Sequence, residues 1–122
     1  MNNSDVTPRM NCAVDATMSV IEGRWKTVIL CKLYKNGPMR INQLMKEIDG
    51  VSPRILTKQL KEMEADGVIK RTSYPEIPPR VEYSITEKGL SLGPILKAMA
   101  DWGHQNMFSN RVSFDSDVEI PE

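Results

Sequence analysis

Apolar residues recur at helical spacing through most of the chain and change once to strict alternation. Val14, Met18 and Ile21 fall four and three apart, which predicts a helix from Asn11 or Cys12 to about Ile21, interrupted by Glu22-Gly23. Arg24 to Asn36 follows, with Trp25, Val28, Ile29, Leu30, Cys31 and Leu33 spread over much of the helix circumference. That distribution belongs to a helix central to a core. Asn36-Gly37-Pro38 stops it. Ile41, Leu44, Met45 and Ile48 then sit at i, i+3, i+4 and i+7, a short amphipathic helix closed by Asp49-Gly50.

Ser52-Pro53 is an N-cap residue followed by proline at the first helical position, and Val51 and Leu56 stand where a hydrophobic staple places them. Ile55, Leu56, Leu60 and Met63 are the expected buried stripe of this helix, which Ala65-Asp66-Gly67 ends with a C-cap glycine. The period then shortens. Val68 to Tyr74 is β-branched and leads into a turn holding Pro75, Pro78 and Pro79. Val81, Tyr83 and Ile85 alternate with Glu82 and Ser84 on the return, so a stiff-tipped hairpin is expected. Thr86-Glu87-Lys88-Gly89 is expected to end the second strand. Leu92, Ile95, Leu96, Met99 and Trp102 give a last amphipathic helix that starts near Gly93-Pro94.

Two short helices joined by a tight turn and followed by a two-stranded ribbon describe a winged helix-turn-helix. The fold class is therefore mainly α with a small β-hairpin, an α+β arrangement. One domain is expected over 12–108, between a flexible polar segment at 1–11 and a loose acidic tail at 109–122. The length of 122 residues supports one modest core and no second one. Aromatic residues are scarce at 6%, and eight methionines supply packing volume in their place.

Charge sharpens this picture. The net charge is zero, yet residues 24–80 hold twelve basic groups against six acidic, while both flanking segments are acidic. A basic middle suggests a polyanion facing one part of the fold, although a solvated charged face has the same composition. The major groove of DNA, about 12 Å wide, admits a helix. On the helix at 52–66 the residues off the apolar stripe are Arg54, Thr57, Lys58 and Lys61, with Arg54 in the first turn where base contacts concentrate. Ser52 and the neighbouring amides offer a phosphate seat at a helix N-terminus. Lys70, Arg71 and Arg80 flank the hairpin at 68–86, placed for the DNA backbone or minor groove, and Lys26 and Arg40 are expected to add phosphate contacts.

Val14, Met18 and Ile21 on the first helix and Leu92, Ile95, Leu96, Met99 and Trp102 on the last offer matching apolar surfaces, open to a dimer interface or to an intramolecular core. A two-fold dimer sets two reading helices about 34 Å apart and calls for a near-palindromic duplex.

Cys12 falls at the start of a helix with Arg9 three residues before it, a setting that favours thiolate. The alternative is a small buried hydrophobe at the dimer seam. Cys31 lies in the most apolar helix and reads as core. His104 is the single histidine, no His/Cys cluster has zinc spacing, and no glycine-rich phosphate loop follows a strand. Neither an enzyme nor a metal or other cofactor is expected. No apolar run approaches the roughly 20 residues that span a bilayer, and the first ten residues lack a signal-like stretch, so no membrane association and a cytoplasmic location are expected.

Cys12-Ala13-Val14, Gly23-Arg24-Trp25-Lys26 with Val28-Ile29-Leu30, Ser52-Pro53-Arg54-Ile55-Leu56-Thr57, and Leu60 through Ile69 form a joint pattern. It continues as Tyr74 through Gly89 and closes with Ala98-Met99-Ala100-Asp101-Trp102. Over Cys12 to Gly103 this pattern resembles the HxlR-type winged helix-turn-helix transcription regulators of bacteria. The resemblance implies a homodimeric repressor or activator, joined through its first and last helices, acting on double-stranded DNA. Some relatives sense oxidants, quinones or other electrophiles through a cysteine at this place, which makes Cys12 the redox-sensing candidate. Two other functions fit a winged helix: a protein–protein docking module, and a ligand-sensing protein with a pocket at the dimer interface.

Overall fold

The computed structural model describes residues 12–107. The two terminal segments expected to be flexible lie outside that range, as does Arg9. Six helices and one hairpin follow in the order α1 (Ala13–Ile21), α2 (Lys26–Asn36), α3 (Ile41–Glu47), α4 (Pro53–Ala65), β1 (Ile69–Tyr74), β2 (Arg80–Ile85), α5 (Glu87–Ser91) and α6 (Gly93–Met107). The expected winged helix-turn-helix is the observed fold.

The core is where α2, α3, α4 and the base of the hairpin meet. Ile29, Leu30 and Leu33 of α2, Leu44 of α3, and Leu56, Leu60 and Met63 of α4 are all buried there. Ile41 and Met45 pack against its edge. Between α3 and α4 the chain turns at Gly50, whose φ of 87° favours glycine.

The limits of α4 are set by local chemistry. Ser52 Oγ accepts from the Ile55 N–H at 3.1 Å, Pro53 fills the first turn, and Val51 and Leu56 are both buried. At the other end the Gly67 N–H donates to the Glu64 carbonyl at 3.0 Å and the Val68 N–H to that of Met63 at 3.2 Å. With Gly67 at φ 80°, this is a Schellman closure, and it turns the chain straight into β1.

β1 and β2 pair antiparallel from Ile69↔Ile85 to Tyr74↔Arg80. Tyr83 also exchanges two backbone hydrogen bonds with Met39, at 2.8 and 2.9 Å, so the segment before α3 covers the outer edge of β2. The turn between the strands contains a cis peptide at Ile77-Pro78.

Three expectations are corrected. Thr86-Glu87-Lys88-Gly89 opens the short helix α5 and does not merely end a strand. Thr86 Oγ1 accepts from the Gly89 N–H at 3.1 Å and caps it. Ile55 leaves the buried stripe: it is 42% exposed, because the side chains that enclose Leu56 and Leu60 lie on the adjacent face. Ile21, Leu92 and Leu96 are buried within this chain's own core and so are not available to a partner. Tyr34 ties α5 down, its hydroxyl donating to the Gly89 carbonyl at 2.6 Å. Burial, reinforced by the Cys31 thiol, pushes the Tyr34 phenol up to about 12.

Candidate nucleic-acid interface

Helix α4 buries one side and presents the other. Leu56, Leu60 and Met63 face inward, while Arg54, Lys58 and Lys61 are exposed and Thr57 is half-exposed. Together with Pro53 and Glu62 these four residues line an open groove of about 620 Å³. The expected reading residues therefore share one surface.

Their hydrogen bonding limits what each can offer. Thr57 Oγ1 donates to the Pro53 carbonyl at 2.8 Å, which ties the hydroxyl hydrogen to the helix. Of the first-turn amides, Pro53 has no hydrogen, and those of Ile55 and Leu56 are taken by the Ser52 side chain and carbonyl. An anion at this helix end would meet the Arg54 amide and guanidinium together.

Lys26 stands elsewhere than expected. It is 7% exposed, and its Nζ lies 3.0 Å from Glu62 Oε1. The reason is positional: the first turn of α2 packs beside α4, and a buried ammonium needs a carboxylate. Lys26 thus joins the two helices and neutralises the acid on the groove, and it is not placed as a phosphate contact. Gln59 Oε1 lies buried beside it without a hydrogen-bond partner. Arg40 is exposed at the N-cap of α3, where its backbone N–H donates to Gln43 Oε1 at 2.8 Å. Arginine carries only donors, so it cannot complete a capping box from its own side chain.

On the hairpin, side chains alternate between faces. Lys70 and Arg71 are both exposed but point to opposite sides of the ribbon, Lys70 sharing a face with Tyr74, Arg80 and Glu82. Arg80 is occupied. Its Nη2 lies 2.7 Å from Glu76 Oε2, its Nη1 lies 2.9 Å from Glu82 Oε2, and its guanidinium carbon sits 3.9 Å from the centre of the Tyr74 ring. The Glu76 hydrogen bond leads in pushing its pKa further above the usual arginine range. Arg80 therefore fastens the turn instead of standing free as a phosphate clamp, and Ile77 projects fully exposed from the turn it fastens.

The expected dimer surface splits. Met18 packs against this chain's core, whereas Val14, Ile95, Met99 and Trp102 are exposed, Val14 at 68% and Trp102 at 61%. Along α6 only Gly93 and Leu96 are buried, and Pro94, Ile95, Ala98, Met99 and Trp102 line a shallow apolar trough. Cys12 is exposed at the N-cap of α1, without a side-chain capping bond. Cys31 is half-buried, and burial pushes its thiol pKa up against the smaller, lowering influence of Lys32. Among the described residues no helix is long and apolar enough to cross a membrane.

Periodicity alone missed Ile55 and Glu62 as residues of the exposed α4 surface. Glu62 was visible as the acid seven residues after Ile55, on the same helical side.

Residues 20–111 match the HxlR-like helix-turn-helix family. An HTH-type transcriptional regulator of Methanothermobacter thermautotrophicus is 46% identical over 92 residues, which covers 75% of this chain and 70% of that protein. The HTH-type transcriptional regulator YtcD of Bacillus subtilis is 44% identical over 108 residues, covering 88% of this chain and 83% of its own. Among solved structures, the redox regulator HypR in its reduced form superposes with a TM-score of 0.74 at 40% identity, over 79% of this chain and 94% of HypR.

Proposed function

The chain belongs to the HxlR-like helix-turn-helix family of transcription regulators, and from that premise we propose that it acts as a homodimer on near-palindromic duplex DNA. In this reading α4 enters the major groove with Arg54 and Thr57 at bases and Lys58 and Lys61 at bases or nearby phosphates. The observation that carries it is the segregation on α4, where Arg54, Thr57, Lys58 and Lys61 share the groove opposite a fully buried apolar stripe. Such a surface fits a negatively charged partner that accepts a whole helix. Ser52 and Arg40 would seat phosphates at the starts of α4 and α3, and Lys70 or Arg71, whichever face the hairpin turns to DNA, would meet the backbone.

Selection of bound fragments from random duplex DNA tests this reading. A single half-site pattern repeated about one helical turn apart is the expected result, and absence of binding to any duplex at low ionic strength refutes it. Arg54→Ala should flatten the sequence preference at one position per half-site. Lys61→Ala should weaken all duplexes alike and lower the slope of log affinity against log salt by about one per subunit. Equal losses on selected and random duplex for both variants would contradict this division.

A switch through Cys12 is the second part of the proposal, supported by its exposure at the N-cap of α1 and by the likeness to HypR, described as a redox regulator. Cys31 is the less reactive thiol, since burial raises its pKa. Diamide with added glutathione, which joins the Cys12 thiol to glutathione as a mixed disulfide while the two electrons and two protons reduce diamide to its hydrazine, should change duplex affinity of the wild type and leave that of Cys12→Ser unchanged. The same diamide response in both proteins would exclude Cys12.

A further inference from the structure

On α4 the large apolar side chains are Ile55, Leu56, Leu60 and Met63, of which the last three have no exposed surface. Ile55 is 42% exposed in the first turn, at the edge of the outward face next to Glu62 and just outside the groove that Arg54, Thr57, Lys58 and Lys61 line. Its backbone is held by the hydrogen bond from its N–H to Ser52 Oγ at 3.1 Å. A β-branched side chain in a helix is confined almost to one rotamer, so little entropy is lost when a surface closes over it. Isoleucine also has no donor or acceptor, and pressing it against a polar base edge would strip water from that edge without replacing the bonds. Among the base-pair edges that face the major groove, the one apolar feature is the C5-methyl group of thymine.

We infer that Ile55 is a specificity-determining residue that packs on a thymine C5-methyl group in the major groove, one thymine in each half-site. The assignment rests on the reading of α4 as the groove-entering helix. It differs from the roles given to Arg54, Lys58 and Lys61 because it asks for a methyl group and for no hydrogen bond.

The test uses the full chain and the duplex obtained by selection, with each thymine replaced in turn by deoxyuridine. That change deletes the methyl and leaves every hydrogen-bonding group in place. For the wild type, one position per half-site should weaken binding by about fourfold, the loss of one methyl-sized apolar contact, and by roughly fifteenfold when both half-sites carry uracil. Ile55→Ala should bind the thymine and uracil duplexes equally, while Ile55→Val, which keeps a branched apolar group, should retain most of the discrimination. Both variants should still unfold cooperatively, Ile55→Ala somewhat below the wild type because more than half of the residue is covered, and Ile55→Val close to it. Indifference of the wild type to uracil at every position overturns the assignment, and so does an undiminished uracil penalty in Ile55→Ala. Failure of the wild type to hold any duplex is a separate result that removes the reading of α4 and this assignment with it.

Discussion

Gly89→Ala should lower the stability of this protein by about 2–3 kcal/mol, the upper part of the range for overpacking a close-packed site. A Cβ built on Gly89 overlaps the Val68 carbonyl oxygen, and it lies 2.9 Å from Ile85 Cγ2 and 3.1 Å from the Val68 carbonyl carbon. Two of these three atoms are backbone, so no rotamer change relieves the contact. The Val68 carbonyl is itself held, since it accepts from the Thr86 N–H at 3.2 Å, and the Gly89 carbonyl accepts from Tyr34. Against this stands the preference of helices for alanine over glycine, about 1 kcal/mol. Steric overlap with backbone is the larger effect, so the sign is destabilising. For a domain of this size a melting point lower by roughly 10 °C or more is expected. A Gly89→Ala protein that melts with the wild type would show that α5 does not press on the start of β1 as described.

The limits of α4 were legible because each is a short-range device. Serine before proline, a staple residue on either side, and glycine after aspartate state where the helix starts and stops without reference to the rest of the chain. Thr86 carried the same kind of information for α5, a capping hydroxyl before an acidic first turn, but five residues with an internal glycine show no periodicity to confirm it. Lys26 was misplaced for a different reason. A lone cation at the start of an apolar helix looks solvent-directed until its carboxylate is known, and Glu62 is a long way along the chain. Arg80 was readable in principle: Glu82, two residues on, shares its strand face, and Glu76 lies across the turn. Ile55 shows the limit of counting apolar positions, since a residue next to a buried one is turned by about 100° and can lie on the outer side of the helix boundary.

The second large effect is expected at α6, where an apolar pattern could not say which core it meets. The structure divides that pattern into two rows. Leu92 and Leu96, four apart, face this chain, while Ile95, Met99 and Trp102, at i, i+4 and i+7, face away. Beyond Leu96 the helix is backed by little of the protein, and an isolated helix of its length is marginal in water. A second copy of the same surface, placed by two-fold symmetry with Val14 at its margin, would supply what is missing. Met99→Glu combined with Trp102→Glu puts carboxylates on that row and leaves Leu92 and Leu96 in place. Sedimentation should then show a monomer that keeps its fold, and affinity for the selected duplex should fall by at least about a hundredfold, because the second half-site is no longer tethered to the first. Leu96→Ala should do the opposite, lowering the melting point while leaving the folded protein dimeric. If the double glutamate variant stayed dimeric and held its duplex, the outward row would have some other partner, and the pairing of reading helices would have to come from another surface. The contrast between these variants separates the core residue Leu96 from the outward-facing Met99 and Trp102, three and six positions further along one helix, the distinction that periodicity could not make.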